Sequence, residues 1–136
     1  MRILAVDLGL ARTGLAISDE SGFLASPVCT VNENDLTVLA DKIAAIANER
    51  QATEIVVGHP KNMDGSRGES AQRAEEFANV LAQKTGLPVK LWDERMTTVS
   101  AIGVLNQTDT RGKKRKAVID TVAATIILQN YLDSLS

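Results

Sequence analysis

Three acidic positions carry the chemistry that this chain could perform. Asp7 closes the apolar run Ile3-Leu4-Ala5-Val6, Asp93-Glu94 closes a second run, Val89-Lys90-Leu91-Trp92, and Asp120 lies early in a C-terminal apolar stretch. A carboxylate where a buried strand emerges is costly to desolvate unless a cation or hydrogen bonds receive it. Taken singly, each acid has a plain explanation. Asp7 can cap a turn through its side chain, and Asp120 can face the positive end of a helix dipole. Brought together, Asp7, Glu94 and Asp120 would repel one another until a divalent cation relieved them. Mg²⁺ takes oxygen ligands, typically a few carboxylates with water and substrate phosphate, and Mn²⁺ suits the same donors. Two such ions roughly 3.5–4 Å apart can activate a water and stabilise the leaving oxygen of a phosphodiester.

Basic residues that could hold a phosphate backbone lie close in sequence to the acids. Arg12 follows Asp7 and Arg95 follows Glu94, while Arg111, Lys113, Lys114, Arg115 and Lys116 place five of the fifteen basic residues within six positions. A block of this kind is either an electrostatic footprint for phosphate or a solvated loop. The single histidine, His59, sits in a Gly-His-Pro turn and suits a structural or loop-contact role. No serine–histidine or cysteine–histidine pair competes as a nucleophilic centre.

The elements that must position these groups follow from periodicity. Two strands, Ile3–Val6 and Leu15–Asp19, flank a turn containing Gly9 and Gly14, and Gly22–Val31 reads as a third strand. Its Pro27 lacks an N–H and fits an edge. Leu36, Leu39, Ala40, Ile43, Ile46 and Ala47 recur at helical spacing, capped by Asn34 or Asp35 and ending near Arg50. Glu54–Gly58 is a fourth strand. Ser66 and Glu69 form a capping-box signature for a helix carrying Ala71, Ala74, Phe77, Ala78 and Leu81, which Gly86 and Pro88 stop. Val89–Trp92 is the fifth strand. A short helix spans Thr97 or Thr98 to Leu105, Gln107–Arg115 reads as a mobile loop, and a final helix starts near Ala117, with Asp120 in its first turn. The order β-β-β-α-β-α-β-α-α predicts an α/β fold with a mixed five-stranded sheet and helices on both faces. Ligands gather at the carboxyl ends of parallel strands in such a sheet, where Asp7 and Asp93-Glu94 both stand.

The chain has 136 residues, which suits one domain spanning residues 1–136. With 44% hydrophobic residues but only 3% aromatic, its core must be built from Ala, Val, Ile and Leu. No apolar run approaches the ~20 residues that span a bilayer, and Met1-Arg2 leads directly into a strand without a signal-peptide pattern, so a cytoplasmic location is expected. One cysteine, Cys29, excludes an internal disulfide and a cysteine metal cluster. A net charge of −2 lends no bulk support to a nucleic-acid partner, and only the distribution of charge, in the basic block, leaves one open.

The segment Ala5-Val6-Asp7-Leu8-Gly9 through Arg12-Thr13-Gly14-Leu15-Ala16-Ile17-Ser18-Asp19 resembles the opening motif of the YqgF (RuvX-like) family. The resemblance continues through Val57-Gly58-His59-Pro60, Asn62-Met63-Asp64-Gly65, Leu91-Trp92-Asp93-Glu94-Arg95-Met96-Thr97-Thr98, and Lys116–Asp120 with Ala123-Ala124. It implies an RNase H-like fold and a metal-dependent nuclease whose catalytic and metal-holding acids fall on Asp7, Glu94 and Asp120. The implied substrate is structured RNA, the 5′ end of precursor 16S rRNA or a pre-ribosomal particle. Branched DNA, as for a Holliday junction resolvase acting as a dimer, is the alternative substrate, and an RNA-binding ribosome-assembly factor without hydrolysis is the alternative class. A monomer or weak homodimer without a membrane partner is expected. Two positions depart from the family. Ala11-Arg12 replaces a Lys-Arg pair, removing one phosphate contact, and His59 replaces an apolar residue. A related resolvase family has a glutamate after its fourth strand, where this chain has Gly58-His59-Pro60; a ligand from that region would make Asp64 the candidate in place of Glu94.

Overall fold

The computed structural model describes residues 1–60, 64–94 and 113–135, with the backbone alone at 113–120. Strands β1 (Ile3–Asp7), β2 (Arg12–Ser18) and β3 (Ala25–Asn32) are followed by α1 (Leu36–Glu49), β4 (Glu54–His59), α2 (Glu69–Thr85), β5 (Val89–Asp93) and α3 (Lys113–Ser134). The five strands form one sheet in the order β3-β2-β1-β4-β5. The first three are antiparallel neighbours, whereas β1, β4 and β5 run parallel. The mixed sheet expected from the sequence is therefore present. The expected helix over 97–105 lies outside the described residues.

Alternation along β1 shows how the sheet is covered. Ile3, Leu4, Ala5 and Val6 are all fully buried. Leu4 and Val6 join Leu39, Ile43, Phe77 and Leu81 beneath α1 and α2. Ile3 and Ala5 join Ala124, Ile127, Leu128 and Tyr131 beneath α3. Side chains alternate between faces with a period of two, so Asp7 continues the row of Ile3 and Ala5 on the face that α3 covers.

Local chemistry sets several boundaries. Asp35 caps α1, its Oδ1 accepting from the backbone N–H of Thr37 (2.9 Å) and Val38 (3.2 Å), an arrangement worth about 1 kcal/mol. The capping box expected at Ser66 and Glu69 does not form. The N-cap of α2 is Gly68, without a side-chain cap hydrogen bond. Ser66 instead donates from its backbone N–H (2.9 Å) and Oγ (2.6 Å) to Asp64 Oδ1. This local Asx turn holds the serine two residues ahead of the cap position. Gly86 ends α2 at φ 70°, its N–H bonded to the Ala82 carbonyl. Pro27 lies on edge strand β3, opposite Ala16, where the register shifts.

Helix α3 starts at Lys113, ahead of the expected Ala117, so Lys113, Lys114 and Arg115 are helical rather than part of a loop. Lysine and arginine rank near alanine in helix propensity, and a run of them extends a helix although it has no apolar period. Asp120 is accordingly the eighth residue of α3 and not in its first turn. The helix dipole, which acts within the first turn, does not account for it.

Candidate active site

Strands β1, β4 and β5 are adjacent and parallel, so their carboxyl ends share one edge. Val6 pairs with Val57, which places Asp7 beside Gly58 one step on. Gly58 in turn pairs with Trp92, two residues before Glu94. By the two-residue period, Asp7, Gly58 and Trp92 share the α3 face at this edge, and Glu94 follows Trp92 on it.

Gly58 is the seat of the glutamate. A Cβ at residue 58 would lie 2.8 Å from Glu94 Oε2, 3.2 Å from its Cδ and 2.9 Å from Ile127 Cδ1. Real side chains essentially never pack so closely. Glycine within a strand marks such a close approach, and here it lets the Glu94 carboxyl lie over the end of β4, between its own strand and β1. Glu94 is half-buried. Burial, and secondarily the neighbouring Asp93 carboxylate, push its carboxyl above the usual range. The environment therefore opposes its charge and favours a cation beside it.

Helix α3 runs antiparallel to β4 over this face. Ile127 abuts Gly58 at the end of β4, and the Tyr131 hydroxyl donates to Glu54 Oε2 at its start. Trp92 packs edge-on against Tyr131, with ring centroids 5.6 Å apart. Asp120 lies two turns ahead of Ile127, about 10 Å along the axis, so the helix carries its backbone toward the edge that holds Asp7 and Glu94. The Asp120 side chain lies outside the described residues.

Among the described residues, no three of His, Cys, Asp and Glu gather as a metal-holding group. Two acids of the expected set, Asp7 and Glu94, meet at one edge. Their donors are hard oxygens, and the half-buried Glu94 carboxyl gains from a cation, so the residues present fit Mg²⁺ or Mn²⁺.

The remaining candidates are distributed as follows. Arg12 opens β2, two residues ahead of Gly14, the antiparallel partner of Asp7. Arg95 and Arg111 lie outside the described residues. Lys113, Lys114, Arg115 and Lys116 belong to the start of α3. Asp64 is exposed and accepts both Ser66 donors in the turn before α2. His59 points to the opposite face from Gly58. It is 7% exposed, and its Nε2 lies 2.6 Å from Glu75 Oε2, whose partner oxygen accepts from Arg67 Nη1 at 2.9 Å. This chain of contacts ties the end of β4 to α2.

Two site-supporting residues escaped the sequence reading. Gly58 had a signal, a glycine inside an apolar strand, but nothing to say what approached it. Arg73 had none. Its Nη1 reaches across from α2 to the Gly9 carbonyl at 2.9 Å and braces the turn that leaves Asp7.

Comparison with known proteins bears on the family and the fold. Residues 1–134 match the family model described as RuvX: Holliday junction resolvase. A Lachnospira eligens protein bearing the name "Putative pre-16S rRNA nuclease" is 47% identical over 137 residues, covering 98% of each chain. A Myxococcus xanthus protein of the same name is 42% identical, covering 98% of this chain and 89% of its own. Among solved structures, Thermus thermophilus RuvC in complex with a Holliday junction superposes with a TM-score of 0.63 at 12% identity, covering 100% of this chain and 97% of that one. The fowlpox virus Holliday junction resolvase gives 0.51 at 13% identity, covering 98% and 99%. At such identities these structures speak for the fold alone, and the α/β fold is RNase H-like.

Proposed function

The chain belongs to the RuvX family and is a nuclease, and from that premise we propose that it matures the 5′ end of precursor 16S rRNA with a divalent cation, Mg²⁺ or Mn²⁺. The relatives named for that reaction support the substrate. The observation that carries this reading is the Glu94 carboxyl lying over Gly58 at the end of β4, the strand next to the one that Asp7 ends. In this reading Asp7, Glu94 and Asp120 hold the cation. When bound, it supplies charge stabilisation at the phosphate and a more acidic water.

The protein's own groups do the rest. Asp7, fixed at the end of a fully buried strand, orients its carboxylate at the edge. Glu94, held over Gly58 and half-buried, gives its oxygens a fixed direction and limits water around them. Arg12, Arg95, Arg111, Lys113, Lys114, Arg115 and Lys116 bind the phosphate backbone of structured RNA, which makes binding salt-dependent. We place the reaction in the cytoplasm, in ribosome biogenesis, with residues 1–136 as one domain and the protein as a monomer or weak homodimer. Among the described residues no helix is long and apolar enough to cross a membrane.

A second reading, cleavage of branched DNA, is favoured by the family's description. It requires two sites related by a two-fold axis. Cleavage of an end-labelled precursor 16S fragment beside a four-way DNA junction, by wild type and Asp7→Asn, tests both. RNA cuts lost in the variant support rRNA maturation, and cuts confined to the junction support the resolvase. RNA binding without cutting of either substrate would point to an assembly factor.

A further inference from the structure

The turn between β1 and β2 presents one large apolar side chain to solvent at the active-site edge. Leu10 is 80% exposed, three residues after Asp7. The turn is held from several sides. Gly9 has no room for a Cβ, which would lie 2.0 Å from the Arg12 carbonyl oxygen. The Gly9 N–H donates to Thr13 Oγ1 (3.4 Å), its carbonyl accepts from Arg73 Nη1 (2.9 Å), and the Glu33 N–H donates to the Ala11 carbonyl (3.0 Å). An exposed leucine on a mobile loop would be unremarkable. One fixed on a braced turn is pre-organised for contact, so it loses little freedom when something packs on it.

Beside it runs a groove of about 470 Å³, bounded by Leu10, by Leu36 at the start of α1, and by Glu69, Gln72, Arg73 and Glu76 on α2. Its charge excludes a phosphate. Two carboxylates face one guanidinium, and that guanidinium already donates to Gly9. An uncharged planar ring with N–H groups on its edge suits this lining of leucines, carboxylates and an amide. Its faces would lie against Leu10 and Leu36, and its donors would reach the Glu69 and Glu76 carboxylates or the Gln72 amide. Three residues of chain place Leu10 within about 10 Å of Asp7, one or two nucleotides from a phosphate held there.

We propose that this groove receives an unstacked nucleobase of the substrate strand, with Leu10 packing on its face as a specificity-determining residue. The proposal rests on the nuclease reading for the presence of a polynucleotide at Asp7, and on the groove for the base. Leucine wedges that unstack bases are an established means of engaging nucleic acid.

A set of precursor 16S oligonucleotides, each with a single abasic site near the cut, tests it against wild type, Leu10→Ser and Leu10→Phe. In wild type, one abasic position should raise KM by roughly fivefold to tenfold, as loss of one base contact implies. Leu10→Ser should cut intact and abasic RNA with equal KM, and Leu10→Phe should restore the penalty. A flat abasic profile in wild type, or an equal penalty in Leu10→Ser, would overturn the proposal. If wild type cuts no substrate, the nuclease reading fails by itself. The same combinations are then read as Kd by fluorescence anisotropy, where coupling between Leu10 and one base upholds the groove and its absence refutes it.

Discussion

Gly58 and Glu94 fit one another: the Glu94 carboxyl occupies the space that a side chain at residue 58 would need, with Oε2 only 2.8 Å from the position of a Cβ. Strand β4 therefore contributes a space, and β5 contributes the acid that fills it. The atoms that a Cβ would meet, Glu94 Oε2 and Ile127 Cδ1, are the far ends of flexible side chains. Gly58→Ala should thus displace the carboxyl rather than break the fold. Stability should fall by about 1 kcal/mol, while kcat falls by at least about tenfold. Thermal melts and single-turnover cleavage measured side by side check the split; equal losses in both would mean that Gly58 serves packing only.

Glu94→Gln should remove cleavage and stabilise the metal-free protein. The folded-state pKa of Glu94 is raised by burial and by Asp93, so its ionised form at neutral pH opposes folding. That cost disappears as pH falls through the raised pKa, where the carboxyl is protonated in the fold. The melting-temperature advantage of the variant should therefore shrink toward acid pH. Mg²⁺ should raise the wild-type melting temperature at pH 7 and leave the variant's nearly unchanged.

At the β2–β3 turn, Asp19 gives a pH dependence of opposite sign. Its carboxylate accepts from Ser21 Oγ (2.5 Å) and from the N–H groups of Phe23 (2.9 Å) and Leu24 (3.1 Å), and its pKa is lowered from 3.8 to about 2. The stability it contributes is fully present above the unfolded value and lost as pH falls toward 2. Asp19→Ala should be less stable than wild type at pH 7, and the two should converge between pH 4 and 2 in denaturant titrations.

His59 and Glu75 should be energetically coupled. Removing the imidazole takes away the 2.6 Å partner of Glu75 Oε2 and leaves the carboxylate with Arg67 at 2.9 Å. His59→Ala should cost about 1–3 kcal/mol, the range for a buried bond to a charged group. A double-mutant cycle with Glu75→Gln should return a coupling of about 1 kcal/mol; additive losses would show the contact to be inert.

Much of this architecture was legible because burial leaves a pattern. Ile3–Val6 carries no polar residue since helices cover both of its faces, and the acid that ends the run is visible for the same reason. Asp35, Gly86 and Pro27 are likewise local signals with local causes. Other features depend on partners far apart in sequence. That Glu94 approaches Gly58 follows from the register of β4 with β5, which neither segment shows alone. Ser66 and Glu69 have capping-box spacing, but Asp64 competes for the serine and wins. The basic run before Ala117 has no apolar period, so it reads as a loop, although its residues favour a helix. Arg73 braces the Gly9 turn from 64 positions away, a contact with no sequence signature.

The most direct measurement is cleavage of an end-labelled precursor 16S fragment by wild type and Asp7→Asn, with Mg²⁺ and with chelator. Asp7 stands at the end of a strand whose burial does not depend on its charge, so the variant should fold and melt like wild type. The predicted result is a discrete metal-dependent cut that falls by at least about 100-fold in Asp7→Asn, as loss of several kcal/mol of charge stabilisation implies. Full cutting by Asp7→Asn, or cutting by wild type that survives the chelator, would contradict the account.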